Sequence, residues 1–180
     1  MNTANKLTIL RIILVPVFML FLTLEGTAWQ IAALVTFIAA SATDALDGYI
    51  ARNFNQITTF GKFMDPLADK MLTTAAFIMF VSIGRMSPWA LTIILVREFM
   101  VSGIRMLAVA EGKVIAASMS GKIKTVSQMV AIIAAIILLN PFFEEGSAKL
   151  ITEILIWIST IATALSGVEY LVKNISVFKN

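Results

Sequence analysis

QIAALVTFIAASATDALDGYIARNFNQITTFGKFMDPLADKMLTTAAFIMFVSI, residues 30–83, is the stretch whose reading decides the fold. Its two ends are apolar, while its middle carries Asp44, Asp47, Arg52, Lys62, Asp65, Asp69 and Lys70. About 20 residues of helix cross a bilayer, and charges near the ends are tolerated where they face protein or a water-filled cavity. The stretch therefore predicts two membrane helices, about Gln30 to Arg52 and Gly61 to Ile83, turning back on themselves at a polar, acidic end.

The rest of the chain agrees. Of its 180 residues 59% are hydrophobic and 14% charged, with a mean hydropathy of +0.91. Soluble domains are nearer 45–50% apolar with about a quarter of their residues charged, and a globule of this length cannot hide so much apolar surface from water. Four further spans are expected: about Leu7 to Leu24 with Pro16 inside it, Trp89 to Ala110, Thr125 to Leu139 closed by Asn140-Pro141, and Leu150 to Val172. The expected fold is an all-α integral membrane protein with six transmembrane helices, a single domain over residues 1–180. Counting from the N-terminus, nine of the 14 Lys and Arg fall on its side of the membrane, against Arg85 and Lys149 on the other. Lys70, Arg97 and Arg105 lie within spans. The positive-inside rule then predicts both termini in the cytoplasm. Leu24-Glu25-Gly26 lacks an A-x-A-like cleavage site, so the first span is read as a retained helix rather than a signal peptide.

There is no Cys and no His. Thiolate chemistry, Ser-His couples and most catalytic zinc sites are thereby excluded. The formal charge of +3 suits a protein beside anionic lipid and gives no reason to expect nucleic acid.

A charge within a span costs of order 2.5–3.5 kcal/mol on insertion scales and usually marks a function. Asp44, Asp47, Gly48 and Ala51 share one face of the second helix at 100° per residue, and Asp65 and Asp69 share one face of the third. Both sets lie one to two turns from the connection, so four carboxylates meet just under the cytoplasmic surface. They cannot all stay ionised in a small, partly dry volume without positive charge between them. An all-oxygen donor set favours Mg²⁺ or Mn²⁺ over zinc or copper, and two divalent ions held by paired acids can clamp the attacking and leaving oxygens of a phosphoryl transfer. Gly48 would admit a phosphate close to the backbone and Arg52 offers it a bidentate contact. The competing structural reading pairs these acids with Arg52, Lys62 and Lys70 as interfacial salt bridges.

Asp44-x2-Asp47-Gly48-x2-Ala51-Arg52-x8-Gly61-x3-Asp65-x3-Asp69 resembles the signature of the CDP-alcohol phosphatidyltransferases at every fixed position. The resemblance implies a six-helix homodimer with a polar cavity open to the cytoplasm. Asp44, Asp47 and Asp65 would bind two Mg²⁺ or Mn²⁺ ions, and Asp69 would be the general base and a further metal contact. Gly48, Arg52 and Thr58 would hold the CDP part of a CDP-diacylglycerol donor. Asn5-Lys6-Leu7-Thr8-x2-Arg11 is similar to the family's entry segment, with Ala4 where a Pro often stands, and adds Asn5 and Thr8 to the donor site.

A second group of charges bears on the acceptor. Arg97, Glu98 and Arg105 fall within a sector of about 100° on the fourth helix. Lys122 and Lys124 stand at the entry to the fifth, where free N–H groups and the helix dipole favour an anion. Plain alternatives are a buried structural pair for Arg97 and Glu98 and topology markers for the two lysines. The stretches Arg97-Glu98-x6-Arg105 and Gly121-Lys122-x-Lys124-Thr125-x2-Gln128 resemble the bacterial members of the family that use glycerol 3-phosphate. That implies Arg97, Arg105, Lys122 and Lys124 as contacts to the acceptor phosphate and the bacterial plasma membrane as location. Inositol phosphate would need such cations too, so another acceptor alcohol stays open. A cation or proton transporter is the reading from a different class, but transporters place their acids near the midplane on broken helices.

Overall fold

The computed structural model describes residues 3–53, 59–110 and 118–175; within the helices, the side chains of residues 3–4, 44–53 and 59–63 and of Asp65, Pro66, Asp69 and Ala110 lie outside the described set. Six helices run in order: α1 Thr3–Thr23, α2 Thr27–Asn53, α3 Thr59–Ser82, α4 Pro88–Ala110, α5 Met119–Ile137 and α6 Glu145–Lys173. No strand occurs among the described residues. The all-α expectation and the number of helices hold.

Helix ends follow local chemistry that hydropathy does not register. The fifth helix begins six residues before Thr125, because Ser118 is extended and its Oγ accepts the Gly121 N–H at 3.1 Å. The sixth begins at Glu145, where the Glu144 carboxylate accepts the N–H groups of Gly146 at 3.0 Å and Ser147 at 2.7 Å. Hydrogen bonding from the Ser147 side chain, then from the Ser147 and Gly146 main chain, holds that carboxyl below its usual pKa. Past α3, Gly84 takes φ +70° while the Arg85 N–H returns to the Phe80 carbonyl at 2.8 Å. A side chain other than glycine is strained there.

α1 packs along α2 and α3, and α6 along α4 and α5, with α2–α5, α3–α4 and α3–α5 contacts joining the two groups. Phe18, Phe37, Phe77, Phe80, Ile132, Ile136 and Ile156 are fully buried in the shared core. Phe18 and Phe37 sit with ring centroids 5.6 Å apart, tilted by 50°. Buried Ala33, Ala40, Ala76, Ala131 and Ala135 let the backbones approach closely, which van der Waals packing between helices in lipid requires.

α6 shows what solvent the fold is built for. Its exposed face carries Ile154, Ile158, Ile161, Leu165, Val168 and Val172, whereas Thr152, Ser159, Thr160, Thr163 and Ser166 are buried against its neighbours. Apolar outside and polar inside is the reverse of a water-soluble helix. The inner hydroxyls bond to carbonyls one turn back, Thr160 to Ile156 at 2.8 Å and Thr163 to Ser159 at 2.7 Å. Among the described residues, three helices, over Asn5–Thr23, Met119–Ile137 and Glu145–Lys173, are long and apolar enough to cross a membrane, and shorter apolar helices cover Thr27–Thr43 and Lys70–Ser82. In α4, three charges interrupt the apolar run: Arg97, Glu98 and Arg105.

Candidate active site

The four aspartates lie on the facing ends of α2 and α3. Asp47 stands six residues before Asn53, the last residue of α2, and Asp65 six after Thr59, the first of α3. Asp44 stands nine before and Asp69 ten after those same ends. At 1.5 Å of rise per residue, the two pairs are staggered alike from the connection, by about 9 Å and about 14 Å. This register fits the expectation of one oxygen-lined site, and four carboxylates with no Cys or His in the chain suit a hard divalent cation. The side chains of Asp44, Asp47, Arg52, Asp65 and Asp69, together with Gly48 and Thr58, lie outside the described residues. Among the described residues there is no cluster of three metal-ligating side chains.

Asn5, Thr8 and Arg11 are buried in the first turns of α1, the helix that packs on α2 and α3. Spaced by three, they keep to one side of the helix. Arg11, only 1% exposed, is among the most deeply buried side chains of the fold, and a charge so buried is costly unless it is paired or hydrogen-bonded.

The acceptor candidates separate in space. Glu98 is their centre. Its Oε1 accepts from the Lys124 ammonium and from Arg97 Nη1 at 3.3 Å, and Lys70 Nζ lies 3.9 Å from its Oε2. The Lys70 ammonium also donates to the Glu98 carbonyl at 3.3 Å and to Ser102 Oγ, whose own hydroxyl donates to that carbonyl at 2.7 Å. Arg97 spans further. Its Nη2 donates to Ser166 Oγ on α6 at 2.7 Å, and the same nitrogen lies 4.0 Å from where a Cβ on Gly121 would sit. The guanidinium is thus held between α6 and the first turn of α5. Below it, Gln128 Nε2 donates to Thr163 Oγ1 at 3.0 Å and closes the α5–α6 seam.

Arg97 and Lys124 therefore converge, both buried, on one carboxylate. Arg105 and Lys122 do not join them. Arg105 is exposed two turns along α4, where its Nε donates to the Tyr170 hydroxyl at 3.3 Å and its guanidinium lies 5.7 Å from that ring's centroid. Lys122 is exposed, two residues and about 200° around α5 from Lys124. The pairing of Arg97 with Glu98 is real, but it is one edge of a four-residue cluster. Sequence reasoning missed Lys70 as a member, along with Ser102, Ser166 and Tyr170. The available signal was the cost of a lysine inside a span. It named Lys70 as unusual without naming its partners.

The CDP-alcohol phosphatidyltransferase family model matches residues 1–165. The chain belongs to that family. Curated relatives match between about three quarters and nearly all of it. One is the CDP-diacylglycerol--glycerol-3-phosphate 3-phosphatidyltransferase of Bacillus subtilis, 40% identical over 99% of this chain and 97% of its own. A probable phosphatidylglycerophosphate synthase of Mycobacterium tuberculosis is 37% identical over 96% of this chain and 81% of its own. The Escherichia coli CDP-diacylglycerol--glycerol-3-phosphate 3-phosphatidyltransferase is 37% identical over 73% of this chain and 74% of its own. CDP-alcohol phosphatidyltransferases use a divalent metal, which agrees with the all-oxygen chemistry of the α2 and α3 ends.

Proposed function

We propose that this chain is a phosphatidylglycerophosphate synthase. It transfers the phosphatidyl group of CDP-diacylglycerol to glycerol 3-phosphate and releases CMP. The observation that carries the reading is the aspartate pattern set symmetrically across the α2–α3 connection, with Lys70, the residue after Asp69, tied through Glu98 to Arg97 and Lys124. Near end-to-end similarity to transferases named for that donor and acceptor supports it.

Asp69 takes the proton from the acceptor hydroxyl, and the freed oxygen forms a bond to the lipid's β-phosphorus. The bond from that phosphorus to the CMP oxygen breaks, and the leaving charge falls to Arg52. Gly48, Thr58, Asn5 and Thr8 hold the CDP portion from α1, α2 and the connection. Arg97 and Lys124 bind the acceptor phosphate, while Arg105, held by Tyr170, and the exposed Lys122 stand apart from them. Two Mg²⁺ or Mn²⁺ ions held by Asp44, Asp47, Asp65 and Asp69 would supply charge neutralisation at the phosphates when bound. In this reading all six helices cross the bacterial plasma membrane with both termini in the cytoplasm, the cavity opens to the cytoplasm, and the enzyme works as a homodimer.

The test is an acceptor competition with labelled CDP-diacylglycerol and the purified protein in lipid vesicles. Label passes to a phosphatidyl product with glycerol 3-phosphate, stoichiometric with CMP. Chelation stops the transfer and added Mg²⁺ or Mn²⁺ restores it. Transfer to inositol phosphate or another alcohol in preference to glycerol 3-phosphate overturns the acceptor, and full activity without a divalent ion overturns the metal site.

A further inference from the structure

An acid has no evident place in a pocket meant for a phosphate. Glu98 is nevertheless at the centre of the one proposed above, and its side chain is only 12% exposed. Its carboxylate would repel an incoming anion, and a buried charge needs a return for its desolvation. We propose that Glu98 is a positioning residue for the acceptor: it sets the spacing of Arg97 and Lys124 and locks them to α3 beside Asp69. The inference rests on the acceptor reading above and deepens it.

The geometry carries this in three steps. First, Arg97 and Lys124 come from different helices on long flexible stems, and unlinked they would repel each other and lose side-chain entropy on gripping a phosphate. Sharing Glu98 Oε1 brings both to within one carboxylate of each other before any substrate arrives. Secondly, the far end of the guanidinium is fixed by Ser166 at 2.7 Å, so the plane of Arg97 is set from two sides. Thirdly, Lys70 follows Asp69 directly on α3 and is tied to Glu98 twice, at its carboxylate and at its carbonyl, with Ser102 completing the tie. One step on a helix is 1.5 Å and 100°. Holding Lys70 therefore fixes the rise and rotation of Asp69 relative to the phosphate-binding cations. A base and a binding group kept at constant separation are what orients an acceptor hydroxyl for attack.

The experiment measures KM for glycerol 3-phosphate and for CDP-diacylglycerol, with kcat, on full-length protein in vesicles. Glu98→Gln is compared with Arg97→Gln and Lys124→Gln at equal folded fraction. The expected result for Glu98→Gln is a KM for glycerol 3-phosphate raised about 10- to 100-fold, as for loss of one charge-assisted anchor. Its KM for the donor stays within about twofold, since Arg97, Glu98 and Lys124 are not among the residues proposed to hold the CDP portion. If Glu98→Gln does not fold, Glu98→Asp, which keeps the charge and withdraws it by one methylene, is read the same way for a smaller rise. An unchanged acceptor KM, or equal rises in both KM values, overturns the role of Glu98. Should Arg97→Gln and Lys124→Gln raise the acceptor KM while Glu98→Gln does not, only this inference falls. If none of the three moves it, the acceptor reading falls as well.

Discussion

Asp69 and Lys70 are neighbours on α3 with different tasks. Lys70 points its ammonium at Glu98 and Ser102 on α4. In the proposed mechanism Asp69 is the general base, a contribution typically worth 10²–10⁴-fold. Asp69→Asn is nearly isosteric, so turnover should fall by about that factor while the protein still inserts and folds. Single-turnover measurement with labelled donor reads the effect, and near-normal turnover would remove Asp69 from the role. The aspartates were legible in the sequence because their spacing is local: three and four residues match the helical repeat whatever the helix packs against. The partners of Lys70 were not. Glu98 is 28 residues away, and the contact depends on how α3 and α4 are rotated about their axes, which no local pattern records.

At the scale of elements, α6 comes close to α4 at Gly167. A Cβ there would lie 2.8 Å from Arg97 Cγ and 3.5 Å from Met100 Cε. Arg97 Cγ is near the root of its side chain and cannot swing away without moving the guanidinium off Ser166 and Glu98. Gly167→Ala is therefore expected to cost about 1–3 kcal/mol of stability, as overpacking does, and to weaken acceptor binding through Arg97. A lowered melting temperature in detergent together with a raised KM for glycerol 3-phosphate checks it; a fully wild-type variant would mean that α4 and α6 can separate freely. Helix starts were only partly legible. Ser118 and Glu144 begin α5 and α6 several residues before their apolar runs, since a cap is a polar, extended residue that lowers the hydropathy used to find a span.

For the whole molecule, the governing fact is the outward face of its helices: large apolar side chains are exposed, while hydroxyls along α6 and the charges of Arg11, Arg97 and Lys124 are buried. The cation count then predicts orientation. Because the chain has no Cys, single introduced cysteines report it directly. Lys149→Cys should react with a membrane-impermeant maleimide in intact cells, and Lys6→Cys only after permeabilisation. The opposite pattern would invert the topology and put the proposed site on the wrong face for a cytoplasmic nucleotide-lipid.

By itself the sequence determined that this is an all-helical chain for lipid, that it has neither Cys nor His to offer a metal, and that four aspartates share the two helix ends beside one connection. Each of these follows from composition or from spacing within a single helix, and so survives any arrangement of the helices. Only the tertiary structure decided which cations belong together. It joined Arg97 and Lys124 through Glu98, added Lys70, and left Arg105 with Tyr170 and Lys122 exposed. The reason is physical: an ion pair between helices is set by their relative rotation, rise and distance, and those are fixed by alanines, phenylalanines and Gly167 far along the chain from the charges they bring into contact.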